Sequence, residues 1–250
     1  MDMPLRNSLW NLLKIHVWDS YSITSHRNPH HEHLFQEIWE SHFKEPLDEM
    51  GESWYEIRDH LRQYFFNCEW YEVYDFIQFV AGNFGGRQFH KGFTKLCNKI
   101  LEREMSAYRF VGGIISQITE QVEVTEIEQA IVDSASPIRT HLKRSLELLS
   151  DRESPDYRNS IKESISSVES LVLLTTGSDK SSLGQLLGKL ETDISLHPAL
   201  KNAFSNLYGY TSDENGIRHA ITESENTDFN DAKFMLVVCC AFINFVNGKV

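Results

Sequence analysis

Ser154-Pro-Asp-Tyr-Arg-Asn-Ser-Ile-Lys-Glu-Ser-Ile-Ser-Ser-Val-Glu-Ser-Leu-Val-Leu-Leu-Thr-Thr-Gly177 is the stretch whose reading decides the fold. Ile161, Ile165, Val168, Leu171 and Val172 recur at helical spacing, so they form one apolar stripe. Ser154-Pro155 opens the run, since proline's fixed φ suits a first turn, and Gly177 closes it. The longest helix of the chain is therefore predicted to run from here to Thr176. A helix with a single apolar stripe needs neighbours to cover it, and the flanking sequence must supply them.

Upstream, Ser136-Pro137 opens a helix whose apolar line is Ile138, Leu142, Leu146 and Leu149, with Arg139, Lys143 and Arg144 read as a solvated face. Downstream come shorter helices at Leu183 to Leu190 and Ala199 to Tyr208, the latter stopped by Gly209. Thr227 or Asp228 then caps a last helix that turns Phe229, Ala232, Met235, Cys239, Phe242, Ile243 and Val246 to one side before Gly248. Residues 135–250 are thus expected to form a bundle of about five helices.

Residues 1–134 read as a second helical domain. Leu5 to Trp18, Leu34 to Phe43, Ser53 to Phe66 and Trp70 to Val80 are helical runs, the third opened by a Ser53–Glu56 capping box. Trp39, Trp54, Tyr55, Tyr64, Phe65, Phe66, Trp70, Tyr74, Phe76 and Phe79 could suggest a base-stacking platform, but their acidic surroundings favour a packed core. Gly82-Asn-Phe-Gly-Gly-Arg87 lacks the Lys-Ser/Thr ending of a phosphate loop and reads as a turn before the helix around His90 to Glu104. Two β-prone runs flank Gly112-Gly113, predicting a hairpin near 108–119. Thr125, with Glu128 as box partner, is expected to open a short helix before Ser134-Ala-Ser-Pro137 marks the domain boundary. The four histidines of Ser25-His-Arg-Asn-Pro-His-His-Glu-His33 fit no tetrahedral metal site and read as a solvated loop, so no metal or cofactor is expected.

With 41% apolar residues in 250, the chain can fill real cores. Its net charge of −12 is uneven: residues 1–134 hold 12 Lys+Arg against 21 Asp+Glu, or −9, leaving −3 for the rest. Such a surface repels a phosphate backbone over most of its area, so nucleic acid could be met only at a local basic site. Four cysteines without CxxC spacing suggest a reduced, cytoplasmic protein. The N-terminus does not read as a secretion signal, and Phe234 to Phe245, short of the ~20 residues a span requires, reads as a core helix rather than a membrane segment.

The candidate for chemistry is Gly209-Tyr-Thr-Ser-Asp-Glu-Asn-Gly-Ile-Arg-His-Ala-Ile-Thr-Glu223, a polar loop rich in turn formers between two helical runs. It places Arg218, a fixed charge, beside His219, a titratable imidazole, at one corner. Two further roles are open for these residues. Arg218 could hold the loop by an ion pair to Glu163 or Glu169, and His219 could cap a helix.

Two resemblances cover most of the chain. Residues 5 to about 131 resemble the N-terminal domain of AbiJ-type abortive-infection proteins, through Leu5-Arg-Asn-Ser-Leu-Trp-Asn11, Trp70-Tyr-Glu-Val-Tyr-Asp-Phe-Ile77, Leu101-Glu-Arg-Glu-Met-Ser-Ala-Tyr-Arg-Phe110 and Ile118-Thr-Glu120. Residues 154–250 resemble the HEPN-like C-terminal domain of abortive-infection proteins, through Asp156-Tyr-Arg-Asn-Ser-Ile-Lys-Glu-Ser-Ile-Ser-Ser-Val-Glu169 and Gly216-Ile-Arg-His219. The HEPN resemblance implies a mainly α bundle, often dimeric, that cleaves RNA without a metal ion: an Arg steadies the phosphate and a His four to six intervening residues later assists proton transfer. By that pattern Arg218 and His219 are the catalytic candidates, with Asn159, Glu163 and Glu223 in support. The sequence departs from it where the distal histidine belongs, since those positions hold Glu223, Ser224 and Glu225. Either His219 moves the proton, or a glutamate does, or the domain binds a partner or nucleotide without catalysis. The resemblance thus implies an antiviral effector acting on RNA, a homodimer through the second domain and a possible defence-system partner protein; the alternative is a non-catalytic regulatory protein of such a system.

Overall fold

The computed structural model describes residues 1–19, 29–177, 183–212 and 227–250. The chain is mainly α, with one two-stranded hairpin among the described residues, and its contacts divide it into two units, Met1–Gln117 and Ile118–Val250.

In the first unit, α1 (Met3–Leu13) is capped by Asp2, whose carboxylate accepts from Leu5 N, and runs on as a π-helical turn over Lys14–Trp18. Helix α2 (Pro29–Glu37) likewise passes into a π turn, Ile38–Phe43, ended by Lys44 at φ 58°. Helix α3 (Trp54–Asn67) carries the expected Ser53–Glu56 capping box, α4 (Trp70–Asn83) follows, and α5 (Gly86–Arg103) starts after Gly85 at φ 74°. Strands β1 (Arg109–Val111) and β2 (Ile114–Ser116) pair antiparallel across Gly112-Gly113, both with positive φ as this tight turn requires. The core is aromatic: Trp18, Phe35, Trp39, Phe65 and Phe76 are buried with Leu9, Leu13 and Leu61. Of the proposed stacking candidates Trp39, Phe65, Tyr74 and Phe76 are buried, Trp54, Tyr64, Phe66 and Phe79 pack partly buried against this core, and Tyr55 and Trp70 are exposed.

The histidine-rich stretch differs from the solvated loop expected. From Pro29 it is helical, and His31 is 1% exposed, its Nε2 lying 2.9 Å from the carbonyl of Val17. The apolar positions Leu34, Phe35 and Ile38 pull this face inward, and a ring nitrogen bonded to a carbonyl can follow. His26 lies outside the described residues.

The second unit holds α6 (Gln121–Asp133), α7 (Ser136–Ser150), α8 (Tyr157–Thr176), α9 (Leu183–Asp193), α10 (Pro198–Ser212) and α11 (Phe229–Asn247). Helix α8 is central and packs on α7, α9, α10 and α11, while α6 and α7 also meet α11. Two details depart from expectation. The long helix starts at Tyr157, because Asp156 rather than Ser154 caps it. Helix α6 starts at Gln121, and Thr125 sits inside it, its hydroxyl donating to Gln121 O. Helix α6 belongs with the bundle: Val124, Ile127, Ala130 and Ile131 are buried, Lys233 Nζ pairs with Glu123 at 2.9 Å, and Asn244 Nδ2 donates to Glu126 O. By its contacts α6 thus groups with the second unit, and residues 134–135 separate it from α7. Helix α11, capped by Asp228 and Asp231, passes the length and composition test for a membrane span, but Ala232, Met235, Leu236, Cys239, Phe242, Ile243 and Val246 are buried in protein, as in a core helix.

Candidate active site

Helices α7 and α8 form a helical hairpin around which the site is built. Their apolar lines, Ile138, Leu142, Leu146 and Leu149 against Ile161, Ile165, Val168 and Leu171, are buried. Between them runs a seam of hydroxyls: Ser145, Ser160, Ser164 and Ser167 are all fully buried. Side chains this small let two helices approach closely, and each hydroxyl is bonded. Ser145 Oγ lies 2.7 Å from Ser164 Oγ and 3.1 Å from Ser160 Oγ, Ser160 Oγ donates to Ser145 O, Ser164 Oγ to Ser160 O and Ser167 Oγ to Ser164 O. Such a satisfied network fixes the register of the two helices.

That register brings His141 to Glu163. His141 lies one turn before Ser145, and its Nδ1 is 2.6 Å from Glu163 Oε2, with side-chain exposures of 35% and 24%. The bond spans 22 residues of sequence. An Nδ1–H donated to a carboxylate sets the tautomer of the ring, leaving Nε2 as a proton acceptor at the edge of the hairpin. Other histidines are placed differently. His90 turns Nδ1 to Ala81 O, whereas His33 and His60 stand 3.8 and 3.9 Å from Glu37 and Glu45, too far for hydrogen bonds.

Asn159 lies one turn before Glu163, exposed, its Nδ2 donating to Asp156 Oδ2 at 2.7 Å. Asn159 and Glu163 therefore share an edge of α8. Arg218, His219 and Glu223 lie outside the described residues, while Glu163, expected with Glu169 as a possible ion-pair partner for Arg218, accepts a hydrogen bond from His141. The hairpin is electrically neutral: residues 136–176 carry six Lys+Arg and six Asp+Glu, unlike the acidic first part of the chain. Arg144, one turn beyond His141 and 57% exposed, holds Glu147 at 3.2 Å, a surface pair weak enough to exchange for another anion. Arg139, read as part of a solvated face, instead donates to the carbonyls of Ile131, Val132 and Ser134, closing the C-terminus of α6.

Other reactive groups are less suited to chemistry. Burial pushes the thiols of Cys68 and Cys239 up to about 11 and about 12, and likewise raises those of Cys97 and Cys240 well above the ordinary thiol range, so all four are protonated at neutral pH. His42, at the end of the second π turn, sits among Phe43, Tyr64, Phe76 and Phe79 with Nε2 3.0 Å from Tyr64 Oη. Its burial favours the neutral ring. Among the described residues no cluster of His, Cys, Asp and Glu could hold a metal ion.

Residues 1–133 match the family model described as AbiJ N-terminal domain 4. No curated protein and no solved structure matches the chain.

Proposed function

This chain belongs to the AbiJ N-terminal domain 4 family, which makes it an abortive-infection protein of phage defence, and from that premise we propose that its second unit is the effector and cleaves RNA without a metal ion. The observation that carries this reading is the α7–α8 hairpin. The two described members of the expected site, Asn159 and Glu163, lie on one edge of it, and there Glu163 holds the imidazole of His141 at 2.6 Å. The HEPN resemblance of residues 154–250 supplies the reaction class. Arg218 would hold the scissile phosphate by its planar fork, with His219 beside it, Glu223 in support, and the first unit as sensor or restraint. Two copies joined through the second unit would set two such corners against one RNA strand, so a homodimer by light scattering at tens of micromolar is expected.

The test is incubation of the purified chain with total RNA in EDTA. Cleavage that survives chelation supports the proposal. Arg218→Lys should then cut cleavage strongly with little change in melting, because it keeps the charge and loses the fork. Intact RNA at high protein excess over hours refutes the nuclease reading and leaves a non-catalytic, partner- or nucleotide-binding regulator.

A further inference from the structure

We infer that His141, oriented by Glu163, is the proton-transfer residue of this reaction, in the role that the HEPN pattern gives to a distal histidine this chain lacks. The inference rests on the ribonuclease reading above and concerns a residue that the motif does not contain. Three observations carry it.

The first is the bond. Nδ1 to Oε2 at 2.6 Å is a charge-assisted hydrogen bond between groups about one-third and one-quarter exposed, where water competes less than at a fully open pair. The carboxylate fixes the tautomer and stabilises the imidazolium that forms when Nε2 takes a proton, as in any base–orienter pair. The second is what Nε2 meets. Among the described residues it has no hydrogen-bond partner and stands at the edge of the hairpin rather than in its core, unlike His31 and His42, whose rings turn inward. The third is the mount. His141 and Glu163 adjoin Ser145 and Ser164, whose buried hydroxyls lie 2.7 Å apart, so the pair is held by two interlocked helices rather than by a loop.

The substrate is an RNA strand. Nε2 removes the proton of a 2′-hydroxyl, O2′ forms a bond to the adjacent phosphorus, and the bond from phosphorus to O5′ breaks. The leaving O5′ takes its proton from water, and the imidazolium returns its own to solvent. The products are a 2′,3′-cyclic phosphate and a 5′-hydroxyl, with no oxidant, reductant or metal ion consumed. Arg144, one turn from His141, supplies positive charge beside the phosphate.

The experiment uses the full chain, a short RNA oligonucleotide in EDTA, and the variants His141→Ala, His141→Gln and Glu163→Gln, with melting recorded for each. Loss of a general base lowers kcat on the order of 100-fold or more, so both His141 variants should fall by that much. Free imidazole should restore part of the rate in His141→Ala and none in His141→Gln, whose side chain fills the space. Glu163→Gln should lower kcat by roughly tenfold or more with KM unchanged, since the ring is still present but no longer held in one tautomer. A purely structural pair would change melting without imidazole rescue and without separating kcat from KM. If wild type cleaves RNA and folded His141→Gln cleaves as fast, the assignment of His141 is overturned and the ribonuclease reading stands. If wild type cleaves nothing, both are overturned together. If His141→Ala does not fold, His141→Gln and Glu163→Gln decide the matter by the same rates.

Discussion

Ser145 is the hub of the hydroxyl seam, and substituting it should reveal how much of the bundle's stability that seam carries. In Ser145→Ala the contacts to Ser160 Oγ, Ser164 Oγ and Ser160 O are lost. The remaining hydroxyls are not orphaned, because Ser160 still donates to Ser145 O at 2.9 Å and Ser164 to Ser160 O at 3.1 Å. The cost is then the net value of a satisfied hydrogen bond, about 1 kcal/mol, and not the larger penalty of an unpaired buried group. Ser145→Leu differs in kind. The site is fully buried between two helices in close contact, so three extra carbons must push them apart, which costs about 1–3 kcal/mol through overpacking in addition to the lost bonds. It should also carry His141 away from Glu163. The assay is urea unfolding of the full chain followed by far-UV circular dichroism, with tryptophan fluorescence as an internal control. All five tryptophans lie at or before residue 70, so fluorescence reports the first unit. Ser145→Leu should destabilise more than Ser145→Ala, and only the leucine variant should lose RNA cleavage. A loss above about 3 kcal/mol for Ser145→Ala would refute the reasoning, since it would mean that hydroxyls credited with backbone acceptors had been left unpaired.

Two glycines of one turn should respond with opposite signs. Gly85 has φ 74° and an added Cβ would lie 2.6 Å from Phe89 Cγ, so Gly85→Ala should cost roughly 1–3 kcal/mol; Gly82, late in α4 with nothing within 4 Å, should gain roughly 0.4–1 kcal/mol as alanine. Equal effects in denaturant unfolding would contradict this. The first unit should also weaken in acid through His42. Its proton affinity is lowered mainly by burial, against the opposing charges of Asp75 and Glu72, so the unfolded chain takes up the proton first, near pH 6.5. Stability from this group is complete above that pH and is lost as pH falls toward the lower folded value. Melting followed by tryptophan fluorescence from pH 8 to pH 5 should show a shallower decline in His42→Gln than in wild type, and parallel declines would refute the assignment.

Much of the fold was legible because apolar period and capping chemistry are local. The inward positions of α8 and α11, the Ser53–Glu56 box and the Gly112-Gly113 turn each follow from residues within a few steps of one another. The errors come from signals that local reading cannot separate. Thr125 with Glu128 looks like a capping box, yet a threonine hydroxyl can equally bond the carbonyl four residues back inside a helix, as Thr125 does to Gln121 at 2.7 Å. What decides between them is burial of Val124 against the bundle, a tertiary fact. Ser134-Ala-Ser-Pro137 is a genuine break between α6 and α7 and coincides with the end of the family match, while both helices pack on α11. His31 went inward because its neighbours in α2 did.

The chemistry of the site was harder to see, because a helical hairpin pairs residues whose sequence numbers have a nearly constant sum. With the connection at 151–156, Ser145 meets Ser160 and His141 meets Glu163, so the register itself pairs an imidazole with a carboxylate 22 residues away. The pairing was within reach of sequence reasoning once both helices and the short connection were accepted. Serine obscures it, because an apolar period does not count a serine, although hydroxyls bonded to helix carbonyls can line a buried face. If those serines are counted with the apolar line, the inward stripe of α8 becomes Ser160, Ile161, Ser164, Ile165, Ser167 and Val168, and Glu163 stands at its margin rather than on an open face. An acidic residue at the margin of a close helix pair, opposite a histidine, is in a different chemical position from one on a solvated surface. Its carboxylate can hold a ring in place, and a ring so held can move a proton.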